Sequence, residues 1–295
     1  MGVLEGKVAV VTGAGRGLGR SHALALAQEG AKVVVNDLGA ELDGTGKSSD
    51  PADNVVKEIK DAGGEAVANY ESVADFQGAK RIIDCAIDNF GKLNILVNNA
   101  GFVRDRISFN MPEEDWDAVV AVHLKGNFNC SRWACSYFRE QSKEGKLENG
   151  RIISTTSHSG LLGNVGQANY GSAKAGIAAL TIIWAMEMER YKVTCNAIAP
   201  MARTRMTEPN LPPPPVEGQF DEFAPENVSP LVVYLASDQA QNVTGRVISI
   251  RGGKLELFQP WHIAKSIDIG RRWTVREIGE RIHELGDFST PPTVS

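Results

Sequence analysis

The stretch "KVAVVTGAGRGLGRSHALALAQEGAKVVVND" constrains the fold more than any other part of the chain. Val8 to Val11 form a continuous, largely β-branched apolar run, the mark of a strand buried on both faces in a parallel sheet. Glycines follow at once, and then "RSHALALAQEG", whose Ala and Leu favour helix and whose Gly30 suits a C-terminal cap. A second apolar run, Val33 to Val35, ends at Asn36 and Asp37. Strand, glycine turn, helix and strand make one βαβ unit.

The alternation continues along the chain. Helices are predicted over "ADNVVKEIKDAGG", "AKRIIDCAIDNFG", the long "PEEDWDAVVAVHLKGNFNCSRWACSYFREQ", "NYGSAKAGIAALTIIWAMEMERY" and "ENVSPLVVYLAS". Strands are predicted over "EAVANYESV", "LNILVNNAG", "GRIISTTS", "VTCNAIAP" and "GRVISIRGG". Such a pattern predicts an α/β fold, a Rossmann-type doubly wound parallel sheet of about seven strands with helices on both faces. The domain is expected to span residues 1–253, with residues 254–295 a C-terminal extension packed on it or on a neighbouring subunit. Two segments break the rhythm. Residues 39–52 are polar and turn-rich, a surface insertion. Residues 207–225 contain "PNLPPPPVEG", whose prolines exclude helix interior and predict a stiff extended flap.

Composition excludes several classes. With 295 residues and a net charge of -5, the chain has a large core and no concentrated cationic face for nucleic acid. No stretch approaches the roughly 20 apolar residues of a membrane span. "MGVLEGK" lacks the basic flank and apolar core of a signal peptide, and "PPTVS" is not a peroxisomal address, so a cytoplasmic protein is expected. The 4 cysteines do not form a disulfide framework, and no metal site is expected.

In a doubly wound sheet, ligands bind beyond the carboxyl ends of the strands. The first exit, "TGAGRGLG", fits TGxxxGxG through Gly13, Gly17 and Gly19, with Arg16 and Leu18 in the same turn. Glycine lets backbone amides approach a pyrophosphate, and the helix start adds a favourable dipole. Asp37 ends the second strand, where an acid can hold the adenosine ribose hydroxyls. It would repel a 2′-phosphate and favours NAD, whereas Arg16 pulls toward NADP. Asp37 weighs more, because it would sit on the hydroxyl that distinguishes the two. Near the fifth strand, Tyr170 and Lys174 are one helical turn apart and share a face. An isolated YxxxK is more often an exposed pair, but a fixed ammonium could make Tyr170 a usable acid or base, and Lys174 together with a positive nicotinamide would lower the phenol pKa by about 3 units, worth roughly 4 kcal/mol.

TGxxxGxG at 12–19, NNAG at 98–101, a Ser thirteen residues before YxxxK, and a Pro after the sixth strand together resemble the short-chain dehydrogenase/reductase family over about residues 5–253. The resemblance implies a catalytic trio of Ser157, Tyr170 and Lys174, with Tyr170 as general acid/base, Lys174 tuning it and holding the nicotinamide ribose, and Ser157 orienting the substrate oxygen. It implies cofactor contacts from Asn99, Ala100 and Gly101, from Ser72 and Val73 at the third exit, and from Pro200. His123 stands where the family usually has Asn and is left out of the trio; a helical His bonded to backbone accounts for it equally well. Met201 replaces the usual Gly after Pro200.

"AGFVRDRIS", "WDAVVAVHLKG", "GLLGNVGQANYGSAKAG" and "APMARTRMT" further resemble the (3R)-hydroxyacyl-CoA dehydrogenase unit of the type 2 peroxisomal multifunctional enzymes. That likeness implies NAD-dependent interconversion of a (3R)-hydroxyacyl-CoA and its 3-oxo form, or of a related hydroxysteroid. Leu161, Leu162, Val165 and Met201 could line the apolar pocket or be ordinary rim. The alternatives are an NADPH-dependent 3-oxoacyl ketoreductase and a catalytically silent dinucleotide-binding scaffold. The family also implies a homodimer or homotetramer, paired through the helices at 112–141 and 170–190.

Overall fold

Among the described residues, the apolar runs become the strands β1 (Val8–Thr12), β2 (Lys32–Asn36), β3 (Ala66–Asn69), β4 (Ile95–Asn98), β5 (Gly150–Thr155), β6 (Val193–Pro200), β7 (Val247–Arg251) and β8 (Lys254–Phe258). A computed structural model describes residues 2–288 except 42 and 217; Leu42 of the insertion, Glu217 of the proline-rich segment and the terminal "PPTVS" lie outside the described residues. The strands form one sheet in the order β3-β2-β1-β4-β5-β6-β7-β8. All neighbours are parallel except β7 and β8. The order reverses direction between β1 and β4, which opens a crevice beyond the strand ends there.

Strict alternation divides each strand between two cores. Ala9, Val11, Val33, Val35, Ile95 and Val97 face one side, packed with α1 (Gly17–Gln28), α2 (Asp50–Asp61) and α8 (Ser229–Ala236). Val8, Val10, Val34, Leu96 and Ile152 face the other, packed with α3 (Phe76–Phe90), α5 (Gly126–Lys143) and α7 (Ala168–Met188). That double burial is why the strands read as continuous apolar runs.

Three features depart from the sequence reading. The sheet has eight strands rather than about seven. β8 turns back through Gly252 (φ 52) and Gly253 and pairs antiparallel with β7. Lys254 to Leu257 are exposed, so this edge strand carries no buried run to announce it. The long helix expected over 112–141 is broken into α4 (Glu113–Val120), a π-helical turn at Ala121–Lys125, and α5. A short helix, α6 (His158–Leu162), follows β5 where no element was expected.

The chain divides into two compact units after Phe258, beyond Gly253 because β8 belongs to the sheet. The second unit holds α9 (Val275–Arg281), opened by a capping box in which Thr274 and Glu277 satisfy each other's backbone amides. There the Arg281 guanidinium stacks 5.5 Å from the Trp273 ring centre, while Trp261 is exposed.

His22 is fully buried in α1, its Nδ1 2.9 Å from Ser229 Oγ of α8 and its Nε2 without a partner. Burial pushes its pKa down to about 3. A group depressed in the folded state leaves the unfolded chain holding the extra proton below its ordinary pKa of about 6.5, so stability falls as the pH drops. We expect His22 to cost about 2 kcal/mol of stability between pH 6.5 and 5. Urea unfolding at both pH values should show a smaller loss for His22→Leu than for wild type; equal losses would refute it.

Candidate active site

The turn after β1 is built from contacts that only glycine permits. Gly13 has φ 63, and a Cβ there would lie 2.7 Å from the Ala100 Cα. A Cβ on Gly19 would lie 2.0 Å from the Gly13 carbonyl oxygen. The turn is fastened to β4 by Thr12, whose hydroxyl accepts from the Asn99 amide at 3.0 Å and the Ala100 amide at 3.1 Å. The Asn99 side chain donates back to the Thr12 and Gly13 carbonyls at 3.1 and 3.0 Å. No side chain caps α1, so its first-turn amides are left for a ligand or solvent.

Each residue expected to hold a dinucleotide lines one cleft of about 290 Å³ at the strand ends. Asp37 faces it while its carboxylate accepts from the Gly15 and Gly39 amides, both at 2.7 Å. Each oxygen keeps room for another donor. Arg16 donates to the Ala40 carbonyl at 3.1 Å. The Ser72 hydroxyl accepts from the Ala74 amide at 3.3 Å, and the third exit is further held by Asn129, which donates to the Val73 carbonyl at 2.9 Å. These close backbone approaches and the uncapped helix start fit a dinucleotide pyrophosphate.

Tyr170 and Lys174 line the same cleft from α7. Lys174 is 3% exposed, and its ammonium donates to the Thr155 carbonyl at 2.6 Å. It lies 5.4 Å from the Tyr170 ring centre. The Thr156 hydroxyl donates to the Lys174 carbonyl at 2.7 Å, so β5 grips α7 twice. Burial pushes the Lys174 pKa down to about 7. Burial also pushes the Tyr170 hydroxyl up, against a Ser157 side chain within hydrogen-bonding reach that works the other way. Desolvation is the largest influence on both groups. Ser157 itself caps α6, accepting from the Ser159 amide at 3.2 Å.

His123, left out of the trio, is a helical His bonded to backbone, and it lines the cleft beside Tyr170. It is buried in the π-helical turn, with its ring edge-on to Tyr170 at 5.1 Å between centres. Its Nε2 lies 2.6 Å from the Phe102 carbonyl and 3.1 Å from the Phe102 amide. Burial holds its pKa at about 3, so the ring is neutral. A Cβ on Gly101 would lie 2.0 Å from the His123 Cε1, so Gly101 is glycine because the imidazole occupies its side-chain space.

Thr155, Thr156 and Phe102 also line the cleft, as do Thr204 to Thr207 beyond β6. They were missed because only their place at strand exits marks them. The apolar residues proposed for a substrate pocket do not line this cleft; Val165 is 86% exposed, and Leu162 is exposed as well.

A sequence model described as short chain dehydrogenase matches residues 7–213. The chain belongs to that family. It is an oxidoreductase acting on CH–OH groups with a nicotinamide dinucleotide. A crystal structure of a short chain dehydrogenase from Mycobacterium avium is 53% identical, with a TM-score of 0.88, over 99% of this chain and 98% of that one. The hydroxyacyl-CoA dehydrogenase ChsB1 of Mycobacterium tuberculosis is 45% identical over 93% of this chain and 87% of its own length. The mouse peroxisomal multifunctional enzyme type 2 is 42% identical over 98% of this chain but only 36% of its own length.

Gly101→Ala is expected to cost about 1–3 kcal/mol in stability by driving a methyl group into the imidazole. The cost should shrink in a His123→Ala background, and a double-mutant cycle read by urea unfolding measures the coupling. Additive costs would show that the two residues do not meet.

Proposed function

We propose that the chain oxidises the secondary alcohol of a (3R)-hydroxyacyl-CoA to the 3-oxo form with NAD, or acts on a related hydroxysteroid. The reading rests above all on one observation: Asp37, the glycine turn, Tyr170 and Lys174 line a single cleft. An acid there hydrogen-bonds a free ribose 2′-hydroxyl and repels a 2′-phosphate, which favours NAD. Similarity to the mycobacterial hydroxyacyl-CoA dehydrogenase over most of both chains supports the substrate class.

In this mechanism Ser157 and Tyr170 hold the substrate hydroxyl, and the Tyr170 oxygen takes its proton as the C–H bond breaks. A nicotinamide dinucleotide held by the glycine turn and Asp37 would supply the acceptor for the hydride of the alcohol carbon. Lys174 would support the phenolate by its positive charge and would hold the nicotinamide ribose. His123, neutral and fastened to Phe102, keeps the loop after β4 against Tyr170. Asn99, Ala100, Gly101, Ser72, Val73 and Pro200 shape the dinucleotide side of the cleft.

Arg16 in the cleft favours a second reading, NADPH-dependent reduction of a 3-oxoacyl group. One steady-state comparison separates the two: kcat/KM with NAD should exceed that with NADP by at least about tenfold, a difference of 1.4 kcal/mol. Equal or reversed preference would favour the ketoreductase.

Tyr170→Phe should lower kcat by at least about 100-fold on whichever 3-hydroxyacyl-CoA or hydroxysteroid in a panel is turned over fastest. Unchanged turnover would overturn the assignment of the base. Assembly as a homodimer or homotetramer is part of the same proposal, supported by the exposed Trp116, Phe128, Ile183 and Met186 on α4, α5 and α7. Light scattering showing only monomer at micromolar concentration would refute it.

A further inference from the structure

The insertion after β2 has no part in the scheme above, yet it is folded against the cleft. Its neck is closed: Asp37 accepts from the Gly39 amide at 2.7 Å, the Ser48 amide donates to the Leu38 carbonyl at 3.1 Å, and a Cβ on Gly39 would lie 1.9 Å from the Ser48 carbonyl oxygen. Its tip is a tight turn in which the Glu41 amide donates to the Thr45 carbonyl at 2.7 Å and the Gly44 amide to the Glu41 carbonyl at 3.0 Å. Between neck and tip, Ala40 takes the Arg16 guanidinium on its carbonyl at 3.1 Å.

The tip then reaches elements that do not adjoin β2. Arg104, beyond β4, donates to the Asp43 carbonyl at 2.9 Å. Gly44 lies so close to the Phe102 ring that a Cβ would stand 2.7 Å from its Cζ. Arg205, beyond β6, pairs with Glu41 at 3.8 Å. β6 is four strands from β2 in the sheet, a separation of roughly 19 Å at ordinary strand spacing. Ala40, Glu41 and Gly44 line the cleft from one side, while Phe102, Arg205 and Met206 line it from the other.

We propose that this insertion is a strap forming the outer wall of the dinucleotide site, closed by Glu41–Arg205, Arg104–Asp43 and Phe102–Gly44, and that it must lift for the dinucleotide to enter or leave. The proposal rests on the reading of the cleft as a dinucleotide site. Glu41 and Arg205 are both well exposed, at 68% and 44%, so this ion pair is weak alone. Weak fastenings suit a strap that opens in every catalytic cycle, and their loss should appear mainly in the rate of release.

The test is release of reduced dinucleotide, followed by stopped-flow fluorescence against a chase of oxidised dinucleotide. The double variant Glu41→Lys/Arg104→Ala puts a like charge opposite Arg205 and removes the hold on Asp43, and release should be about tenfold faster. Release within twofold of wild type, in a variant whose urea midpoint shows it folded, would overturn the strap. Hydrogen exchange on wild type gives a second reading: the Glu41, Gly44 and Ser48 amides should exchange more slowly with saturating dinucleotide, and unchanged exchange would also overturn it. Failure of wild type to bind dinucleotide would instead defeat the cofactor reading, and the strap with it.

Discussion

The site depends on an ammonium held out of water. Lys174 is almost fully buried with one carbonyl, that of Thr155, taking its charge. Desolvating an ammonium is expensive unless partners repay it. Its pKa at about 7 shows that the ligand-free chain repays only part. Burial raises the pKa of Tyr170 as well, against the opposing pull of Ser157. Acceptors for the ammonium and positive charge near the phenol, of the kind a nicotinamide dinucleotide would add, favour the charged form of each group.

That arrangement is carried by backbone geometry. Thr155 and Thr156 at the end of β5 bind Lys174 through its ammonium and its carbonyl. α6 presses so close to α7 that a Cβ on Gly160 would lie 2.5 Å from the Ala175 amide nitrogen. On the other flank, the His123 ring fills the space over Gly101, so the loop after β4, the π-helical turn and Tyr170 form one packed unit. Thr12 couples this unit to the glycine turn, which is how the glycine turn and the Tyr170–Lys174 side of the cleft share one frame.

Most of the fold was legible because its cause is local. Strands buried on two faces must be apolar throughout, and glycines at positive φ or in close contact cannot be anything else, as Gly13 shows. β8 was illegible because Leu255 and Leu257 are 61% exposed and no buried face fixes its pattern. The π-helical turn leaves no trace in composition, since it changes only which backbone groups pair. That Asp37, Tyr170 and Lys174 meet in one cleft was legible from strand exits and helical spacing, whereas His123 was ambiguous from sequence because its contacts with Phe102, Gly101 and Tyr170 join residues far apart in the chain. Spacing says which groups are neighbours but not how much water each has lost, so the direction in which burial moves Lys174 and Tyr170 was not legible from YxxxK.

The most direct test is a spectrophotometric titration of Tyr170, isolated as the difference between wild type and Tyr170→Phe, with and without oxidised dinucleotide. Without the dinucleotide, the hydroxyl should stay protonated beyond the ordinary tyrosine pKa of about 10. With the dinucleotide bound, the inflection should move to lower pH. An inflection at the same pH in both states would contradict the view that this buried pair is completed by its cofactor.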